Sequence, residues 1–151
     1  MQHNFIAILL LGLAPFVACS GKQPTTLGVV DGSFHPCPAS PNCVSSDAED
    51  AEHRIEPFAL AVPPDAAWSA IQAEVAKLPR TSIAESGPTY LHAKCTSALF
   101  RFVDDLELQL RSSQGLVAVR SASRVGRSDL GVNRRRVESL RETLQARGVV
   151  R

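Results

Sequence analysis

The strongest pattern in the chain is an alternation of period two through residues 99–125, LFRFVDDLELQLRSSQGLVAVRSASRV. Leu106, Leu108 and Leu110 on one arm and Val117 and Val119 on the other share a face, and Ser112–Gly115 reads as the turn between them. A β-hairpin is predicted. Pairing Arg111 with Leu116 stacks Leu110 on Val117, Leu108 on Val119, Leu106 on Ser121, Asp104 on Ser123 and Phe102 on Val125. On the other face Gln109 meets Ala118, Glu107 meets Arg120, Asp105 meets Ala122 and Val103 meets Arg124. A slip of one residue would mix apolar with polar partners along the whole ladder, so the pattern specifies this register.

The remaining elements follow from shorter signals. HRIEPFAL, residues 53–60, reads as a short strand that Pro57 confines to an edge or bulge. PPDAAWSAIQAEVAKLP, residues 63–79, reads as an amphipathic helix with Trp68, Ile71, Val75 and Leu78 on one stripe and Trp68 as a core anchor. TSIAES and TYLHAKCTS are strands separated by Gly87 and Pro88, and a final helix of about residues 133–147 turns Val137, Leu140 and Leu144 inward and stops at Gly148. The expectation is an α+β domain over residues 53–151: a two-layer antiparallel sheet with both helices on its apolar face, in the order β-α-β4-α. Helix-grip and TATA-binding-protein-like folds are the analogy. Residues 19–52 hold Gly21, Gly28, Gly32, four prolines and an acidic cluster, and read as a tether and an irregular, cysteine-containing leading segment.

Residues 1–18, MQHNFIAILLLGLAPFVA, contain an apolar run from Phe5 to Val17 that is too short to span a bilayer and is followed by small residues. They read as a signal peptide, with a core helix or membrane anchor as the alternative. FVACSG then resembles a bacterial lipoprotein signal in which Cys19 is the acylated first residue of the mature chain. With Ser20 rather than an aspartate in the next position, that resemblance implies, for a Gram-negative source, the outer membrane facing the periplasm rather than the inner one. Ordinary cleavage with loss of Cys19 is the competing reading.

Export places Cys37, Cys43 and Cys95 where thiols oxidise. CPASPNC brings Cys37 and Cys43 together around a turn-prone loop, and a bridge there would stabilise by about 2 kcal/mol. A bridge from either to Cys95 is a second possibility, and a metal site from His35, Cys37, Cys43 and His53 a third, with suitable ligand types but no recognised zinc spacing. Cys95 alternates with Leu91 and Ala93, as a buried thiol would.

Composition changes the picture at one point. The 151 residues are 44% hydrophobic with a net charge of +1, which suits one domain, but the charge is unevenly laid out. Acids from Asp47 to Glu85 crowd the first two thirds, and RSASRVGRSDLGVNRRR, residues 120–136, carries six arginines. Arg120 opposite Glu107, and Asp105 diagonal to Arg120 and Arg124, suggest solvent-face ion pairs of a few tenths to about 1 kcal/mol each. Asp104 falls instead on the apolar face. Either it accepts hydrogen bonds from Ser121 or Ser123 and from amides where the last helix begins, or it is a general acid or base in a pocket beneath that helix. Arg134, Arg135 and Arg136 stand in the first helical turn, where the helix dipole disfavours cations. Acids such as Asp129 and Glu138 compensate them, or the cluster awaits an anion held together with Asn133. Nucleic acid is not expected as a partner for an exported chain with 5% aromatic residues and no stacking surface. No cofactor is expected.

CPASPNCVSSDAEDAEHRIEPF, LFRFVDDLELQL and VRSASRVGRSDLGVNRRRVESLR together resemble the DUF1499 family, small proteins of uncharacterised function, many of them predicted bacterial lipoproteins. The resemblance runs from about residue 28 to residue 141. The family pattern tends to carry an aromatic where this chain has Arg127. The resemblance implies a shared site drawn from Cys37, Pro38, Ser40, Pro41, Asn42, Cys43, Asp104, Asp105, Arg120, Ser121, Ser123, Arg124, Asp129, Asn133 and Arg136, and it implies no activity. The leading expectation is an envelope-anchored binding module. Ser121, Ser123, Arg124, Asp129, Asn133, Arg134 and Arg136 would form a polar pocket for a small anionic ligand or a lipid head group. A hydrolase using Asp104, and a structural envelope protein without a ligand, are the rivals.

Overall fold

The computed structural model describes residues 21–151; the expected signal peptide and the acylation at Cys19 lie outside the described residues. The described residues form an α+β fold of two helices and a mostly antiparallel sheet. A two-stranded ribbon of β1 (Val29–Val30) and β2 (Ser33–Phe34) precedes β3 (Cys43–Ser45) and β4 (Phe58–Ala59). There follow α1 (Pro64–Lys77), β5 (Thr81–Ser86), β6 (Tyr90–Thr96), β7 (Val103–Arg111), β8 (Leu116–Ser123) and α2 (Val132–Ala146). The main sheet runs β3-β8-β7-β6-β5, and β4 pairs with β8 beside β3. One edge of β8 is therefore shared between two short strands, Val44 opposite Ser121 and Phe58 opposite Val117. Pro57, which has no N–H to give a ladder, directly precedes the shorter of them.

The β7–β8 hairpin has the register that its alternation specifies, from Asp104 opposite Ser123 to Arg111 opposite Leu116. A single 3-10 turn, Ser112–Gln114, closes it, with Gly115 at φ 66° supplying the left-handed residue that the return needs. The expected stacking of Phe102 on Val125 is not formed. β7 starts only at Val103, and Phe102 turns outward to stack on Phe100 with ring centroids 5.6 Å apart.

Leu91, Ala93, Leu106, Leu108, Val117 and Val119 make the apolar face, and Trp68, Ile71 and Val75 of α1 and Val137, Leu140 and Leu144 of α2 pack in the same core. Trp68 is the expected anchor, its Nε1 donating to the carbonyl of Gly87 at 3.1 Å. The opposite face departs from expectation. Asp105 is 1% exposed, Glu107 0% and Arg120 4%, so their ion pairs are buried rather than solvated. The leading segment covers them. Its Gly28 N–H donates to Glu107 Oε1 at 2.7 Å, and its Pro24 and Thr26 wall a cavity shared with Asp105, Arg120 and Arg124. This segment is thus more than a tether, and it also supplies the edge strand β3. Alternation reports polarity, not exposure, and complementary charges can be covered once each is paired.

Candidate functional site

Two polar networks occupy the same end of the sheet, one on each face. On the helix side the hub is Asn133, in the first turn of α2 and fully buried. Its Oδ1 accepts from Ser121 Oγ at 2.6 Å and from Arg136 Nη1 at 2.7 Å. Its Nδ2 reaches the carbonyl of Asn42 at 3.1 Å, Ser123 Oγ at 2.9 Å and Asp129 Oδ2 at 2.9 Å. Asn42 in turn donates from Nδ2 to the carbonyl of Gly126 at 2.6 Å. One side chain therefore joins the leading segment, β8, the loop before α2 and α2 itself.

Asp104 meets this network through Arg136, whose Nη2 donates to Oδ2 at 2.6 Å. The expected partners Ser121 and Ser123 are engaged by Asn133 instead, because α2 lowers a guanidinium directly over the carboxylate and a charge-assisted bond outcompetes a hydroxyl. Asp129 satisfies the start of α2, accepting the backbone N–H groups of Gly131 at 2.9 Å and Asn133 at 2.7 Å. This places a carboxylate where the dipole favours one. The other expected compensator, Glu138, lies a turn further on and pairs with Arg141. Arg134 donates to the carbonyls of Arg54 and Glu52, both at 2.9 Å, and Arg135 to that of Leu130 at 2.8 Å.

On the opposite face Arg124 holds Asp105 in a bidentate pair, both bonds 2.8 Å, and His92 Nε2 lies 2.7 Å from Asp105 Oδ1. Burial opposes ionisation of Asp105, but the hydrogen bonds from His92 and Arg124 outweigh it and hold the carboxyl below its usual range. The same bond raises the Arg124 guanidinium above its ordinary value. Beside this pair Glu107 accepts from Arg120 Nη1 and Tyr90 Oη, both at 2.8 Å. Burial and the Glu107 charge push the Tyr90 phenol up. A cavity of about 360 Å³ lies over Asp105, Arg120, Ser123 and Arg124, with Pro24, Thr26 and the Cys37–Pro38 loop as its outer wall. Among the described residues one buried side-chain polar atom has no hydrogen-bond partner, and it is Arg120 Nε.

Cys37 and Cys43 are joined by a disulfide. That removes their thiolates from any metal site, and His53 bonds instead to Asp50 Oδ1 and the carbonyl of Ser40. Among the described residues no cluster of His, Cys, Asp and Glu is arranged to hold a metal ion. Among the described residues Cys95 is the free thiol; it is buried, and burial raises its pKa.

Residues 33–144 match the family described as protein of unknown function, DUF1499. The chain belongs to that family. No curated protein and no solved structure matches it. Of the residues that the DUF1499 resemblance gathers, Asn42, Asp104, Ser121, Ser123, Asp129, Asn133 and Arg136 form the helix-side network, and Asp105, Arg120 and Arg124 form the opposite one. Arg134 stands apart on the surface of α2. His92 and Tyr90 were missed. Their alternation with Leu91 and Ala93 puts them on the polar face, but the long β6–β7 loop hides which β7 residues they meet.

Proposed function

We propose that this protein is an envelope-anchored binding module, acylated at Cys19, whose ligand site is the cavity between the leading segment and the charged face of β7 and β8. The supporting observation is that two arginines, Arg120 and Arg124, line that cavity, and that Arg120 Nε is a buried donor without a partner. Leaving such a group unbonded costs about 1–3 kcal/mol or more, so a ligand that brings an acceptor oxygen is favoured. Arg120 commits Nη1 to Glu107, and Arg124 commits Nε and Nη2 to Asp105, which leaves guanidinium donors for phosphate or carboxylate oxygens. A free anion and a lipid head group share that chemistry. The site moves from the expected helix-side cluster to the other face, where Arg124 remains a member; Ser123 borders the cavity, but its hydroxyl belongs to the Asn133 network. Relative to helix-grip and TATA-binding-protein-like folds, for which the order from β4 onward is the only argument, the covering segment and its cavity are an addition.

The test is thermal shift and calorimetric titration of the full-length protein with inorganic phosphate, glycerol phosphate and small carboxylates. Ala122→Phe, which fills the cavity and keeps both ion pairs, is the comparison. The expected result is a rise in the wild-type melting temperature that the variant lacks. Binding of glycerol phosphate but not inorganic phosphate would point to a head group. A wild-type protein that no anion shifts would refute the reading. It would leave the structural role, which the Asn133 network favours because its donors and acceptors serve one another. Hydrolysis through Asp104 draws no such support, since Arg136 occupies its carboxylate.

A further inference from the structure

At the end of the sheet where the two networks lie, large apolar side chains point into solvent. Leu99 is 80% exposed and Leu130 83%, and Phe100, Phe102 and Val132 are also exposed. Leu99, Phe100 and Phe102 sit on the loop between β6 and β7 and Leu130 and Val132 at the start of α2, and Ala98 of that loop borders the same shallow cavity as Val132 and Arg80. Single exposed apolar residues are ordinary, but a clustered set of this size marks a surface that something covers.

Charge identifies the cover. Residues 97–102 and 126–135 carry Arg101, Arg127, Arg134 and Arg135 against one carboxylate, Asp129, and that carboxylate is turned inward onto the amides of α2. Arg134 and Arg135 are bonded only to carbonyls and so keep their charge, and Arg80 stands at the cavity edge. The described chain also begins at this end. A Cβ on Gly21 would come 2.9 Å from Val125 Cγ1 and 3.0 Å from Arg124 Cβ, and the Arg124 N–H bonds to the carbonyl of Val103, the residue after the apolar loop. Cys19 precedes Gly21 by two residues, a reach of at most about 7 Å.

We propose that Leu99, Phe100, Phe102, Leu130 and Val132 form a tip that seats the folded domain on an anionic lipid surface, with the flanking arginines on the head groups. The tip faces the same bilayer that an acyl chain on Cys19 would enter. It adds a contact made by the domain itself. The ligand cavity, opening on the other side of the Arg124 strand end, is then held at a fixed height above the membrane.

The test uses the full-length protein in vesicles of phosphatidylcholine and phosphatidylglycerol with brominated acyl chains. Phe100→Trp reports the tip, and Ser113→Trp reports the hairpin turn about 30 Å away at the far end of β7. The buried Trp68 gives a common background that the wild type subtracts. The expected result is quenching of Trp at position 100 and none at 113, with a loss of quenching in vesicles of phosphatidylcholine alone. Replacing Arg127 and Arg135 by Gln should lower the ratio of docked to free domain about fivefold for each arginine. Equal behaviour of the two tryptophans, or quenching indifferent to lipid charge, overturns the proposal. So does shielding at position 100 that follows protein concentration, which would make the tip a contact between copies. The mass of the membrane-extracted protein reports acylation of Cys19 separately, so failure of the tip and failure of the anchor are told apart.

Discussion

Replacing Asn133 by Ala should be the most damaging polar-to-alanine change in α2. The truncation removes an acceptor used by Ser121 Oγ and Arg136 and a donor amide shared among Asn42, Ser123 and Asp129. Each buried hydrogen bond contributes about 1 kcal/mol net, and each partner left buried without a replacement costs about 1–3 kcal/mol. Arg136 keeps Asp104 and Ser121, and Asp129 keeps two backbone amides, so their losses are partial. The Ser121 hydroxyl and the Asn42 carbonyl are hit harder, although the latter still accepts the N–H of Ser123. The sum is about 3–5 kcal/mol, which for a domain of this size lowers the melting temperature by about 12–20 °C. Differential scanning calorimetry of Asn133→Ala beside Arg135→Ala checks it. Arg135 is exposed and bonds only Leu130, and its loss removes a cation from a helix N-terminus, so that variant should melt at or slightly above the wild-type temperature. An Asn133→Ala protein within about 4 °C of wild type would refute the claim that the hub couples the leading segment to the sheet.

Asp47 and Asp105 are both carboxylates whose burial is outweighed by arginine hydrogen bonds, joined by the Phe34 amide at Asp47 and by His92 at Asp105, so both sit below the usual range. A depressed folded value means that their stabilisation is complete above the unfolded value near about 3.9 and is lost as pH falls through the folded one. The melting temperature should therefore stay level down to about pH 5 and drop below about pH 4, with a shallower drop in Asp105→Asn; equal slopes for the two proteins would contradict the assignment. Tyr90, raised by burial and by Glu107, has the opposite sign: its contribution is present below the unfolded value and is lost above about pH 10, and Tyr90→Phe should blunt that alkaline loss. Reduction of the Cys37–Cys43 bridge, or Cys37→Ala with Cys43→Ala, should cost about 2 kcal/mol for so short a loop. Because the same loop walls the cavity, anion binding should weaken along with stability; a reduced protein with unchanged melting and titration would show that the bridge constrains neither.

The hairpin from Asp104 to Ser123 was legible residue by residue, because period-two alternation on both arms permits a single register in which apolar side chains meet. The two helices were legible from their apolar stripes, and the burial of Cys95 from its place among Leu91 and Ala93. Local sequence also brought Cys37 and Cys43 near enough to bond. Three things waited for the tertiary structure. The polar face of β7 looked like a solvent face because a buried, mutually paired Asp105, Glu107, Arg120 and Arg124 has the same sequence signature as a solvated one. Only the path of residues 21–38 across that face decides between them. The partner of Asp104 depended on the angle at which α2 returns to the sheet, a long-range property that brings Arg136 rather than a serine to the carboxylate. The run of arginines from Arg120 to Arg136, finally, is divided by the fold among ion pairs on two faces, carbonyls at the surface and a cationic rim around an apolar tip. Sequence fixes which charges a chain owns, but pairing depends on distance, and distances between segments this far apart exist only after packing.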